Sequence, residues 1–92
     1  MEVSETDVGP GQIRNVVREY LLTEFLPGEN PDELKDSTPL ITGGILDSIG
    51  TVKLVSHLEQ QFDVRFESFD ISVDYLDTVD LIVQTVVGKL RG

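Results

Sequence analysis

Asp47 and Ser48 stand where a glycine- and aliphatic-rich stretch, Gly43 to Leu46, gives way to an amphipathic run that continues to Asp63. A serine at the start of a helix has two uses. It caps the unpaired backbone N–H groups of the first turn, or its hydroxyl is the point at which another group is attached. A negatively charged group attached there meets the positive end of the helix dipole, an interaction favourable by roughly 0.3 to 1 kcal/mol. Asp47 suits the same helix end, as a cap or as a charge. Gly43, Gly44 and Gly50 would keep the approach to the serine open, with ordinary turn chemistry as their other reading.

Other chemistries do not fit. His57 is the single histidine. It follows Ser48 by nine positions, a rise of about 13 Å along a helix, so the two cannot form a hydrogen-bonded nucleophile–base pair. His57 is expected to face solvent or a partner. Leu46 and Ile49 bracket Asp47-Ser48 where a nucleophile elbow needs Gly-x-Ser-x-Gly. The run DISVDYLDTVD, from Asp70 to Asp80, lacks the ligand alternation and central glycine of a calcium loop. With no cysteine and one histidine, neither a disulfide framework nor a Cys/His metal cluster is available. The composition fits a cytoplasmic protein.

The chain carries 17 acidic and 7 basic residues, a formal charge of −10. Such a charge repels phosphate backbones and anionic membrane surfaces, so neither nucleic acid nor a bilayer is an expected partner. Basic protein surfaces are favoured. No apolar stretch approaches the roughly 20 residues of a membrane span, and the acidic start MEVSETDVGPGQ is no signal peptide.

The elements that must position Ser48 follow from periodicity. Residues 1–10 read as a flexible acidic leader, and 11–92 as one small domain. Ile13, Val16, Val17, Tyr20, Leu21 and Phe25 recur at helical spacing until the prolines and glycine of LPGENP stop the run. A long connection from Pro27 to about Leu46 follows, with a helical turn expected at PDELK. Leu34, Leu40, Ile41, Ile45 and Leu46 are expected to pin it to the core. From Ser48 to Phe62, Ile49, Val52, Val55, Leu58 and Phe62 form an apolar stripe with Leu54 beside it. Thr51, Lys53, Ser56, His57, Gln60 and Gln61 face outward or flank it. VRFESFDISVDYLDT alternates in places, but reads as a loop and a short helix over Ser72–Leu76. A final helix begins at Asp77 or Thr78, either of which can cap it, with Asp80 at the capping-box interval from Asp77. It carries Val79, Ile82, Val83, Val86, Val87 and Leu90. Lys89 and Arg91 complement its dipole. The predicted fold is all-α: a bundle of three main helices and one short helix, with a long loop after the first.

GGILDSIGTVKLVSHLEQQFDV, from Gly43 to Val64, resembles the acyl and peptidyl carrier protein family. That family has an Asp-Ser-Leu type motif at the start of its second helix; here the matching residues are Asp47, Ser48 and Ile49. The long loop before the motif, the apolar spacing after it and the final helix LDTVDLIVQTVV extend the likeness over about residues 11 to 90. The resemblance implies that Ser48 receives 4'-phosphopantetheine from coenzyme A and that Asp47 supports the transfer, where magnesium lies near the coenzyme phosphates. It implies a non-catalytic carrier, whose arm bears an acyl or aminoacyl thioester between partner enzymes and raises its effective concentration at each active site.

Fatty-acid synthesis carriers crowd acids along the exposed side of the second helix. Here Gly50, Lys53, His57, Gln60 and Gln61 stand instead, leaving Asp47, Glu59 and Asp63, with much of the charge at Asp70, Asp74, Asp77, Asp80 and in the loop from Glu29 to Asp36. LDSIGTV and ESFD are similar to stand-alone aminoacyl carriers, such as D-alanyl and discrete peptidyl carriers, in a specialised pathway; a fatty-acid or polyketide carrier is the nearest alternative. The implied partners are a phosphopantetheinyl transferase, an adenylating or acyl-loading ligase and a downstream acyl or condensing enzyme, meeting a monomer through Leu46, Ile49, Val52 and Lys53. The rival from another class is an unmodified acidic adaptor or regulatory subunit in which Ser48 is a plain cap.

Overall fold

The computed structural model describes residues 9–91, which form four α-helices and no strand. Helix α1 spans Pro10–Glu24, α2 Ser48–Phe62, α3 Val73–Leu76 and α4 Val79–Arg91. Single 3₁₀ turns occur at Pro31–Glu33 and Ser68–Asp70. The bundle of three main helices and one short one is therefore present, as is the turn expected at PDELK. Of the expected leader, residues 1–8 lie outside the described residues. Pro10 begins α1, one residue before the expected domain start, because a first-turn position needs no N–H and suits the fixed φ of proline.

In α1, Ile13, Val17 and Leu21 recur every four residues and are completely buried. The helix ends at Phe25, whose N–H reaches the Leu21 carbonyl at 2.9 Å, and Pro27 prevents continuation. α4 buries Val79, Ile82, Val83 and Val86 against α1 and α3, while Leu90 is left partly exposed. Tertiary burial holds this β-branched helix, as its composition requires. Its cap is Thr78, whose Oγ1 accepts the Leu81 N–H at 3.1 Å. Asp77 is occupied elsewhere, so the Asp77–Asp80 interval forms no capping box. Such a box forms instead at Glu67 and Asp70.

The apolar stripe of α2 is rotated from its expected position. Leu54, Val55 and Leu58 enter the core with Thr51, whereas Ile49 and Val52 are 69% and 57% exposed. Thr51 is buried, contrary to expectation, because its hydroxyl donates to the Asp47 carbonyl at 2.8 Å and its methyl can face inward.

The connection between α1 and α2 is irregular but well tied. Leu34, Leu40 and Leu46 are buried. The Arg18 guanidinium donates to the Leu34 and Pro31 carbonyls, and Arg14 pairs with Asp36 at 2.9 Å and Asp80 at 3.4 Å. Asp77 makes the central tie. Its Oδ1 accepts the N–H groups of Ile41 and Thr42 at 2.8 and 2.9 Å, its Oδ2 accepts the Thr42 hydroxyl at 2.9 Å, and its carbonyl accepts the Leu40 N–H. These donors, the Thr42 N–H foremost, hold the Asp77 carboxyl below the usual carboxylate range. A second tie joins Asp70 to Lys89 at 2.6 Å, and the ammonium likewise lowers the Asp70 carboxyl.

Both carboxyls are more acidic folded than unfolded, so their stabilisation is present above the unfolded value near ~3.9 and disappears as pH falls through the lower folded values. Unfolding by urea is expected to show constant resistance near neutrality and a decline below about pH 4. Asp77→Ala should cost roughly 1.5–3 kcal/mol at neutral pH, the scale of hydrogen bonds to a charged group, and should flatten the acid decline. A variant as stable as wild type would remove Asp77 from this role.

Candidate functional site

Leu46 is buried and bonds its N–H to the Leu40 carbonyl at 2.8 Å, so the loop delivers Asp47 to the surface from a fixed point. Asp47 is the N-cap of α2: its backbone is extended and its Oδ1 accepts the Gly50 N–H at 2.6 Å. Ser48 is then the first helical residue and is exposed. The cap is thus supplied by the aspartate, and the Ser48 hydroxyl has no hydrogen-bond partner among the described residues. It stands on the helix end whose free N–H groups and dipole favour an anion.

Ser48 lines a groove of about 580 Å³ whose opposite wall is Ile71, Ser72 and Val73, just before and within α3. Ile71 and Val73 are 39% and 43% exposed. With Ile49 and Val52 they give the serine an apolar surround. Lys53 is exposed and lines a smaller cavity on the other side, with Ile49, Gly50 and Phe25. Of the residues expected at a partner surface, Ile49, Val52 and Lys53 are therefore accessible. Leu46 is not: at 2% exposure it belongs to the core, since it anchors the loop.

Two further expectations, for Gly50 and His57, change. Gly50 is buried and faces Phe25, so it does not open the approach to Ser48. Gly44 has φ +86°, which bears out the turn reading given for it beside the open approach. His57 is half-buried and stacks on Tyr20, with ring centroids 4.0 Å apart and planes 14° from parallel. Burial, then Glu24, raises the Tyr20 hydroxyl above its ordinary pKa. Glu59, counted among the acids of α2, accepts the Phe66 N–H at 2.9 Å.

The exposure of Ile71 and Val73 was not foreseen, because periodicity over a four-residue helix is too short to assign a face. Gly50 carried a usable signal: glycine inside a helical run costs stability against alanine and so points to a packing reason.

A small helical bundle with an exposed, unbonded serine at an aspartate-capped helix start has the form of a carrier domain. Residues 12–86 match the family described as "Phosphopantetheine attachment site", and the chain belongs to that family. It is a carrier protein, and its prosthetic group is covalently attached 4'-phosphopantetheine. A D-alanyl carrier protein of Streptococcus sanguinis (strain SK36) is 40% identical over 71 residues, covering 77% of this chain and 87% of the relative. One from Streptococcus suis (strain 98HAH33) is 30% identical over 92 residues, the whole of both chains. The unmodified adaptor is not favoured by these relationships. Among the described residues no helix is long and apolar enough to cross a membrane.

The cap has a measurable value. Asp47→Ala should lower stability by about 1 kcal/mol and Asp47→Asn by much less, because asparagine also caps well. Urea titration of both variants checks this; equal losses would mean that charge, not the Gly50 hydrogen bond, dominates.

Proposed function

We propose that Ser48 is the attachment point of the phosphopantetheine and that the loaded cargo is an aminoacyl group. The observation that carries this reading is the division of labour at the start of α2: Asp47 takes the cap and leaves the Ser48 hydroxyl exposed and unbonded. The residues fit the group. An anionic phosphodiester on Ser48 would meet the first-turn N–H groups, and the groove towards Ile71 and Val73 gives an apolar flank to the chain beyond it.

In the transfer, Ser48 Oγ attacks the coenzyme A phosphorus that bears the pantetheine. The new oxygen–phosphorus bond replaces the one to the second phosphate, adenosine 3',5'-bisphosphate leaves, and the serine proton passes to solvent. Asp47 would support the transfer as a carboxylate ligand to a transferase-bound magnesium, a hard cation suited to carboxylate oxygen. When attached, the group supplies a terminal thiol for thioester formation with the cargo. The carrier needs no catalysis of its own.

D-alanine is the first cargo to test, supported by the names of the relatives. The partners are a phosphopantetheinyl transferase, an adenylating ligase and a downstream acyl-accepting enzyme, acting on a cytoplasmic monomer. Ile49 and Val52 give these partners apolar contact, with Lys53 at the rim.

Incubation with coenzyme A, magnesium and a broad-specificity transferase should add one phosphopantetheinyl group by mass spectrometry, located to Ser48, and none to Ser48→Ala. Modification at another residue would refute the assignment. For the holo protein, Ile49→Ala should cost loading by a D-alanine–carrier ligase roughly 1 kcal/mol or more in kcat/KM, as for a buried interface anchor. Raising salt should slow that loading only modestly, since screening acts on exposed charges. Normal loading of the variant, or a steep salt effect, would place recognition on another surface.

A further inference from the structure

Gly50 is buried although Ser48, Ile49, Val52 and Lys53 around it are exposed. A Cβ built there would lie 2.8 Å from Phe25 Cε1, 3.4 Å from Phe25 Cζ and 3.1 Å from Asp47 Oδ1. Comfortable carbon–carbon contact begins near ~3.5 Å. The Phe25 ring, at the end of α1, therefore rests on the backbone of the first turn of α2. On the same glycine, the N–H is held by the Asp47 carboxylate.

Phe25 is backed on one side by Tyr20. Tyr20 meets it edge to face, with centroids 5.9 Å apart and planes at 72°. Tyr20 is itself stacked on His57 of α2. The aromatic end of α1 thus grips α2 at Gly50 and again two turns later at His57. Ser48 lies just before the first grip.

We infer that Phe25 is a positioning residue for modification of Ser48. Seated on Gly50 and backed by Tyr20, it fixes the first turn of α2 so that Asp47 and Ser48 meet a transferase in one orientation. The inference rests on the assignment of Ser48 as the attachment point. Phe25 contacts neither coenzyme A nor the reacting oxygen; it acts through Gly50 and the Asp47 cap. The chemical reason is alignment. The serine oxygen must lie in line with the phosphorus–oxygen bond being broken, and misplacement by an ångström is worth as much as a hundredfold in rate.

The test uses the full chain, coenzyme A and a broad-specificity transferase, with Gly50→Ala, Phe25→Leu and the double variant. Readouts are kcat and KM of transfer, thermal unfolding, and hydrogen exchange of the Gly50 amide. Gly50→Ala should lower kcat roughly tenfold with KM for coenzyme A unchanged. Phe25→Leu should lower kcat and speed exchange at Gly50, because the seat is vacated. The double variant, in which the alanine methyl occupies space that leucine leaves, should recover most of kcat. Wild-type kcat in both single variants, or no recovery in the double, would reduce the contact to ordinary packing. Should Gly50→Ala fail to fold, Phe25→Leu decides alone: unchanged kcat and unchanged Gly50 exchange overturn the inference. A wild-type chain that takes up no phosphopantetheine at Ser48 is a different result, since it removes the attachment site itself.

Discussion

The carboxylate of Asp77 is the tie on which the placement of the serine depends. An irregular connection as long as the one between α1 and α2 is uncommon in a small domain unless something fixes it. Here three donors from Ile41 and Thr42 converge on one side chain at the α3–α4 junction. With Leu40 and Leu46 buried on either side, the chain emerges at Asp47 from two anchored points. The helix start is consequently held from below by the loop and from the side by α1.

The same arrangement changes the meaning of the negative charge. A formal −10 suggests a surface broadcast to basic partners, yet several acids are engaged in contacts within the chain. Asp77 holds the loop, Asp70 holds Lys89, Asp36 and Asp80 share Arg14, and Glu59 fixes the backbone at Phe66. On α2, Asp47 is a cap. Beside the serine the accessible surface is set largely by Ile49, Val52, Ile71 and Val73, which makes shape and apolar fit more informative to a partner than charge.

Periodicity made the three long helices legible, together with most of the core, because Ile13, Val17 and Leu21, or Val79, Ile82 and Val86, repeat at intervals that only a helix satisfies. The motif around Ser48 was legible through its setting: a long loop before and an amphipathic helix after. What periodicity could not supply was rotation. Within α2 the choice between Val52 and Thr51 as the inward residue depends on a hydroxyl finding the Asp47 carbonyl, and hydrophobicity ranks that pair the wrong way round. Nor could spacing reveal that Asp77 serves a loop 36 positions earlier, since its neighbour Thr78 gives the same capping signal. Long-range polar ties leave no repeat in a sequence.

That span of 36 positions also imposes an order in time. Closing it costs chain entropy that only the finished contacts offset, whereas α3 and α4 are neighbours and can meet early. Arg14 and Arg18 of α1 can hold the early part of the loop, but the part next to Ser48 has no tie to Asp77 until the α3–α4 junction is made. The capped, gripped setting of Ser48 is therefore complete only when α1, the loop and the α3–α4 junction are all in place.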